Sequence, residues 1–217
     1  MQQEAVLYLD GPCLVLAGAG SGKTRVITQK IAYLLNTCGY SAKGVLALTF
    51  TNKAAKEMVE RLKPLVEPSL IKGLTVCTFH ALGVRFLREE AQFAGLKRGF
   101  SILDATDAAS IIQEMLSTTD KGRIRAVQQV ISLWKNQLIM PDQAETLAQT
   151  PDEQDAAKLY RSYEATLKAY QAVDFDDLIL LPVMLMREHE EVRERWQKRI
   201  TYLLVDEYQD TNACQYE

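Results

Sequence analysis

The stretch AGAGSGKT, residues 17–24, stands between an apolar run, CLVLAG, and a helical stretch from about Lys23 to Leu35. Strand, glycine-rich turn and helix in that order constrain this chain more than anything else in it. Gly20 and Gly22 let backbone N–H groups turn inward around an anion without a Cβ clash. The helix N-terminus adds its partial positive charge. A loop of this kind cradles phosphate and belongs to a parallel sheet covered by helices. The strict G-x-x-x-x-G-K-[ST] pattern has glycine where this chain has Ala17, a methyl group that a negative φ tolerates. The alternative reading is a glycine-rich turn with an incidental lysine.

The alternation continues. GVLALTF is a second strand candidate, followed by the helix NKAAKEMVERLKPL; LTVCTF is a third, followed by HALGVRFLREEAQF. Strand–helix alternation predicts an α/β fold with a parallel sheet. From about residue 100 the period changes. Ala108, Ile111, Ile112 and Met115 share one helical face. Val127, Val130, Ile131, Trp134 and Leu138 form a second stripe, and Leu159, Tyr160, Tyr163, Leu167 and Tyr170 a third. These stripes read as packing. No convincing strand intervenes until TYLLVD. The organisation predicted is an α/β domain over 1–84 and 191–217, interrupted by an all-helical insertion over 85–190.

Composition narrows the classes. At 217 residues the chain can bury a sizeable core. Its net charge of −3 leaves no general basic coat, so any nucleic-acid contact is local. Cys13, Cys38, Cys77 and Cys214 are scattered without a C-x-x-C pair, which argues against zinc and a disulfide framework and for a reducing cytoplasm. The most apolar stretch, DDLILLPVMLM, is too short to span a bilayer and reads as a core helix.

Two acids end the TYLLVD strand. Asp206 is placed to hold Mg²⁺, directly or through water, and Glu207 to orient and deprotonate an attacking water. In the loop, Lys23 supplies charge for β- and γ-phosphates and Thr24 a hydroxyl for the metal. A capped strand end is the plain alternative for the acid pair. In VDFDDLI, Asp174, Asp176 and Asp177 either cap a helix or hold a metal, and the cap is favoured.

AGAGSGKTRVIT, LTFTNKAAKEM, TFHALG, DFDDLI and LLVDEYQDTN together resemble, in order and spacing, the amino-terminal part of a superfamily I DNA helicase of the UvrD/Rep/PcrA group, nearest the Rep branch. The resemblance covers the whole chain. It implies a P-loop NTPase (RecA-like) parallel sheet, incomplete here, with the helical insertion. It implies ATP and Mg²⁺ as cofactors. ATP-binding residues would be Gln2, reading the adenine edge, then Ala19, Gly20, Ser21, Gly22, Lys23 and Thr24, with Arg25 stacking on the base. Thr24 and Asp206 would hold Mg²⁺. Lys23, Glu207 and Gln209 would be catalytic. Single-stranded DNA would meet Phe50 by stacking, Thr51 and Asn52 by phosphate contacts, and Thr78, Phe79 and His80 from the neighbouring strand. Each has a structural alternative: Asn52 as a helix cap, Phe50 as core, His80 as a satisfied buried histidine.

The function implied is that of the ATP- and DNA-binding part of an ATP-dependent helicase that unwinds duplex DNA in replication or repair. Its partners would be single-stranded DNA, single/double-strand junctions and replication or repair proteins, with no membrane. The chain is expected to be a fragment that does not itself unwind. Rival classes are another P-loop phosphotransferase or a non-catalytic nucleotide-binding module. In folds of this kind a strand lying beyond Glu217 separates the Asp206 strand from CLVLAG. Three outcomes are open: the two strands pair directly and move Asp206 towards Lys23, a strand from another copy fills the gap in a swapped dimer, or the terminal strand is loosely held and the chain tends to aggregate; the last two are favoured.

Overall fold

A computed structural model describes residues 2–18 and 20–217. In chain order its elements are α1 (Gln2–Leu7), α2 (Lys23–Asn36), β1 (Val45–Thr49), α3 (Asn52–Leu62), α4 (Pro68–Ile71), β2 (Thr75–Thr78), α5 (Phe79–Glu89), β3 (Ser101–Ile102), α6 (Ala105–Leu116), α7 (Lys121–Asn136), α8 (Pro141–Leu147), α9 (Pro151–Ala169), β4 (Ala172–Val173), α10 (Asp177–Glu188), α11 (Glu190–Arg199), β5 (Tyr202–Val205) and α12 (Ala213–Tyr216). The fold is α/β with a parallel sheet, as the alternation predicts. The chain forms two compact units, Met1–Phe79 with Glu194–Asp210, and His80–Arg193 with Thr211–Glu217.

The first unit holds a three-stranded sheet in the order β2-β1-β5. β1 is buried along its whole length, which suits its unbroken apolar sequence VLALT at the centre of a sheet covered on both faces. It pairs with β2 from Leu46↔Thr75 to Thr49↔Thr78, and with β5 from Val45↔Tyr202 to Leu48↔Val205. Ile31, Leu34 and Leu35 of α2 and Met58 and Leu62 of α3 pack with Val45 and Ala47 as its core. The expectation of a loosely held terminal strand is corrected by this four-residue register: β5 is held by β1.

The first predicted strand, CLVLAG, is the larger correction. Residues 13–18 join no ladder, and Leu14, Val15 and Leu16 are 64%, 40% and 86% exposed. A strand exists only through its neighbours, because extended backbone gains hydrogen bonds only across a ladder. Among the described residues, no strand lies beyond β5 to receive this segment.

The second unit is helical, with one short addition: β3 and β4 pair in parallel, Ser101↔Ala172 and Ile102↔Val173, where no strand was expected. Each two-residue strand is too brief to leave a period in the sequence. The three predicted stripes meet in one core containing Ala108, Ile112, Val127, Ile131, Trp134, Tyr160, Tyr163 and Leu167. Two stripe members differ. Leu138 lies past the end of α7 with φ 60°, and Tyr170 is exposed. Helix starts follow their caps. Asp104 Oδ1 accepts from the N–H groups of Thr106 and Asp107, and Asp107 returns a bond to the Asp104 N–H. Thr150 and Glu153 repeat this reciprocal cap at α9, with Pro151 at the first turn. DDLILLPVMLM forms α10, a buried helix, and no helix among the described residues is long and apolar enough to cross a membrane.

Candidate nucleotide and DNA sites

The phosphate loop runs into α2 through Gly22, whose φ of 88° is left-handed. Gly20 is left-handed too, at φ 74°. These conformations favour glycine, and they leave the first turn of α2 with no side-chain cap. Free helix N–H groups of this kind favour negative charge. Ser21 Oγ donates to the Gly18 carbonyl at 2.6 Å, tightening the turn. Ala19 lies outside the described residues.

α1 is docked against this loop. Gln2 Nε2 donates to the Ser21 carbonyl at 2.7 Å, which places the residue expected to read adenine beside the turn. The helix is anchored by Lys30, a residue that motif reading passed over. Lys30 is 5% exposed, and its Nζ donates to the carbonyls of Val6 at 2.8 Å and of Ala5 and Tyr8. A lysine on the buried face of α2 thereby satisfies the orphan C-terminal carbonyls of α1. Burial pulls its pKa below the ordinary lysine value. Arg25, expected to stack on the base, is exposed one turn into α2.

β5 delivers the acids. Asp206 is 5% exposed, and its N–H donates to the Leu48 carbonyl at 2.9 Å, extending the β1 ladder. Thr24 Oγ1 donates to Asp206 Oδ2 at 3.3 Å across 182 residues of sequence. Burial first, and the neighbouring Glu207 charge second, raise the Asp206 carboxyl above its ordinary value. A buried carboxylate beside a hydroxyl and next to a second acid is a fitting seat for a divalent cation, whose charge would relieve both penalties. Lys23 Nζ donates to the Ala17 carbonyl at 3.4 Å and lies 3.9 Å from Glu207 Oε2. Gln209 Nε2 donates to Glu207 Oε2 at 2.6 Å. Glu207 itself has φ 50°, a left-handed conformation that costs a non-glycine residue about 1–3 kcal/mol and concentrates at working sites.

The expected DNA residues divide between the units. In the first, β1 and β2 end in register, so Phe50 and Phe79 emerge together with ring centroids 5.5 Å apart. Both are half-buried, Thr51 and Asn52 are exposed, and Thr78 is buried at the strand end. Thr51 is the helix cap: its Oγ1 accepts from Ala54 N–H at 3.1 Å. The capping alternative for Asn52 is therefore corrected, since Asn52 is already the first residue of α3. His80 belongs to the second unit, where its ring lies 5.9 Å from that of Phe175. Burial lowers its pKa, with Asp176 opposing. The acids of VDFDDLI hold no metal-ligand cluster among the described residues. Asp174 Oδ1 accepts from Asp177 N–H at 2.9 Å, and Lys135 supplies the cation.

Comparison with known proteins agrees with this geometry. The UvrD/REP helicase N-terminal domain matches residues 1–217. The ATP-dependent DNA helicase Rep of Escherichia coli is 50% identical over 219 residues, an alignment that takes in 100% of this chain and 32% of that protein. Rep of Salmonella typhimurium is also 50% identical over 219 residues, with the same coverage. The ATP-dependent DNA helicase PcrA of Staphylococcus aureus is 44% identical over 219 residues, covering 99% of this chain and 30% of that protein. The chain thus spans 32% of the length of the first of these relatives. With its phosphate loop, its paired acids and a match along its whole length, the chain belongs to the UvrD/REP helicase N-terminal domain family.

Proposed function

We propose that this chain is the ATP- and single-stranded-DNA-binding part of an ATP-driven helicase acting on duplex DNA in replication or repair. The observation that carries the reading is the Thr24–Asp206 contact, which closes the phosphate loop onto the acid-bearing strand. Lys23 meets the β- and γ-phosphates, and the uncapped first turn of α2 supplies N–H donors to their oxygens. Thr24 and Asp206 would hold Mg²⁺, which would neutralise charge on the phosphate oxygens. Glu207 takes the proton of the attacking water, and Gln209, bonded to Glu207, fixes the direction of its carboxylate. Gln2 and Arg25 address the base. Phe50 and Phe79 offer ring faces to unpaired bases without sequence preference, and Thr51 and Asn52 face the phosphates. Thr78 belongs with these residues of the first unit, His80 is the second unit's own DNA-binding candidate, and junctions between single- and double-stranded DNA are the substrate class.

Two titrations of the 217-residue chain test this. A fluorescent ATP analogue should bind wild type and lose at least about tenfold in affinity with Lys23→Ala, roughly 1.4 kcal/mol. A labelled oligonucleotide should bind at low salt, weaken as salt rises, and lose about 1–3 kcal/mol with Phe50→Ala. Equal binding by wild type and Lys23→Ala would overturn the nucleotide assignment, and equal binding by wild type and Phe50→Ala would remove Phe50 from the DNA site.

A further inference from the structure

The second unit buries a charge cluster that neither phosphate nor DNA chemistry uses. Lys135, near the end of α7, is fully buried. Its Nζ donates to Asp174 Oδ2 at 2.8 Å and Asp177 Oδ1 at 2.7 Å, and lies 2.7 Å from Glu164 Oε1. Three carboxylates therefore face one ammonium. Their hydrogen bonds are unequal. Asp174 accepts from Lys135, from the Tyr163 hydroxyl at 3.0 Å and from Asp177 N–H at 2.9 Å. Asp177 accepts from Lys135 and from Asp174 N–H at 3.1 Å. Glu164 Oε1 is buried and has the Lys135 ammonium as its one neighbour of opposite charge, with no further hydrogen-bond donor.

We propose that Glu164 and Asp177 share one resident proton at neutral pH, and that its release in alkaline solution loosens the turn from Asp174 to Asp177. Like charges in one dry site cannot all ionise against a single cation. Asp174 is the best-bonded acid and keeps its charge; the other two are left to divide a proton. Glu164, the only one of the three with substantial exposure, provides the exit to solvent. The groups facing the pair are Lys135 from α7, Tyr160 and Tyr163 from α9, and Asp174 from the segment after β4. From α12, Cys214 faces Arg187, Asp176 and Glu217, and burial pushes its thiol up to about 11.

The direction of each acid agrees. Burial pushes Asp174 up, but Lys135, Asp177 N–H and Tyr163 outweigh it and hold its pKa below the ordinary value. Burial raises Glu164 against the pull of Lys135. Burial, with the charges of Asp174 and Glu164, pushes Asp177 up to about 8. An acid raised in the folded state contributes stability that is complete below its unfolded pKa and lost as pH climbs through the folded one. The loss for this pair therefore extends to about 8. It spreads along one hydrogen-bonded line: Asn136, next to Lys135, donates to Asp176 Oδ1 at 2.8 Å and accepts from Asn212, the N-cap of α12.

Urea unfolding of the 217-residue chain from about pH 6 to about pH 9.5 reads the effect. The wild-type midpoint should fall across this range. Glu164→Gln removes one of the competing charges and should flatten the fall. Carboxyl-carbon NMR of the wild type gives a readout independent of any variant: one aspartate or glutamate resonance should titrate above about pH 7. A flat wild-type profile, an identical fall in Glu164→Gln, or carboxyl resonances that all titrate below about pH 6 would each overturn the proposal.

Discussion

At Glu207 a single side chain meets three constraints. Its backbone is left-handed, its carboxylate accepts from Gln209, and Lys23 stands 3.9 Å away. A glycine there would remove the backbone cost, so the general-base role proposed for Glu207 is the one to test at this position. Glu207→Gln should keep nucleotide affinity within a few-fold and lower hydrolysis by about a hundredfold or more, the usual share of a general base. Single-turnover ATP hydrolysis with a parallel binding titration separates the two, and a loss confined to binding would refute the role. That Lys23, Thr24, Asp206 and Glu207 come together was legible because a glycine-rich loop before a helix and an acid pair at a strand end both stand out in the sequence. Lys30 and Lys135 were not, because an isolated lysine on an apolar face looks the same in sequence whether its head reaches solvent or a buried partner.

Helix and strand identities were legible wherever an element satisfies itself locally. α6 and α9 carry amphipathic stripes, and the sequence shows them; their caps, and the Thr51 cap of α3, emerge only in the structure. Elements that depend on distant partners were less visible. β3 and β4 stabilise each other at a separation of about seventy residues, and residues 13–18 fail as a strand because a partner is lacking among the described residues. Close approach between helices is hidden for the same reason. A Cβ on Gly83 of α5 would lie 1.8 Å from the Leu178 carbonyl oxygen of α10, a contact with backbone that cannot swing aside. Gly83→Ala should therefore destabilise the second unit by about 3 kcal/mol, despite the better helix propensity of alanine. Thermal unfolding checks this, and an unchanged or higher midpoint would contradict the packing. Lys30→Met tests the α1 anchor. It strips donors from three carbonyls and should cost about 1–3 kcal/mol, with the increase in amide exchange concentrated in α1.

Across the whole molecule, the sheet brings phosphate loop and acids together without a ladder through residues 13–18. β5 is fixed by β1, and the loop is fixed by α2, by Gln2 and by the Thr24–Asp206 contact. Leu16→Lys should accordingly change stability by no more than about 0.5 kcal/mol, as a surface substitution does, where a buried strand residue would cost several times more. Urea midpoints decide between the two. Nucleotide binding bears most directly on the account. Calorimetric titration of ATP with Mg²⁺ and with a chelator, into wild type and Asp206→Asn, isolates the metal seat. Mg²⁺ should raise wild-type affinity by about tenfold or more, and Asp206→Asn should abolish that gain. A gain that survives Asp206→Asn, or no gain in the wild type, would contradict a nucleotide site built on Thr24 and Asp206.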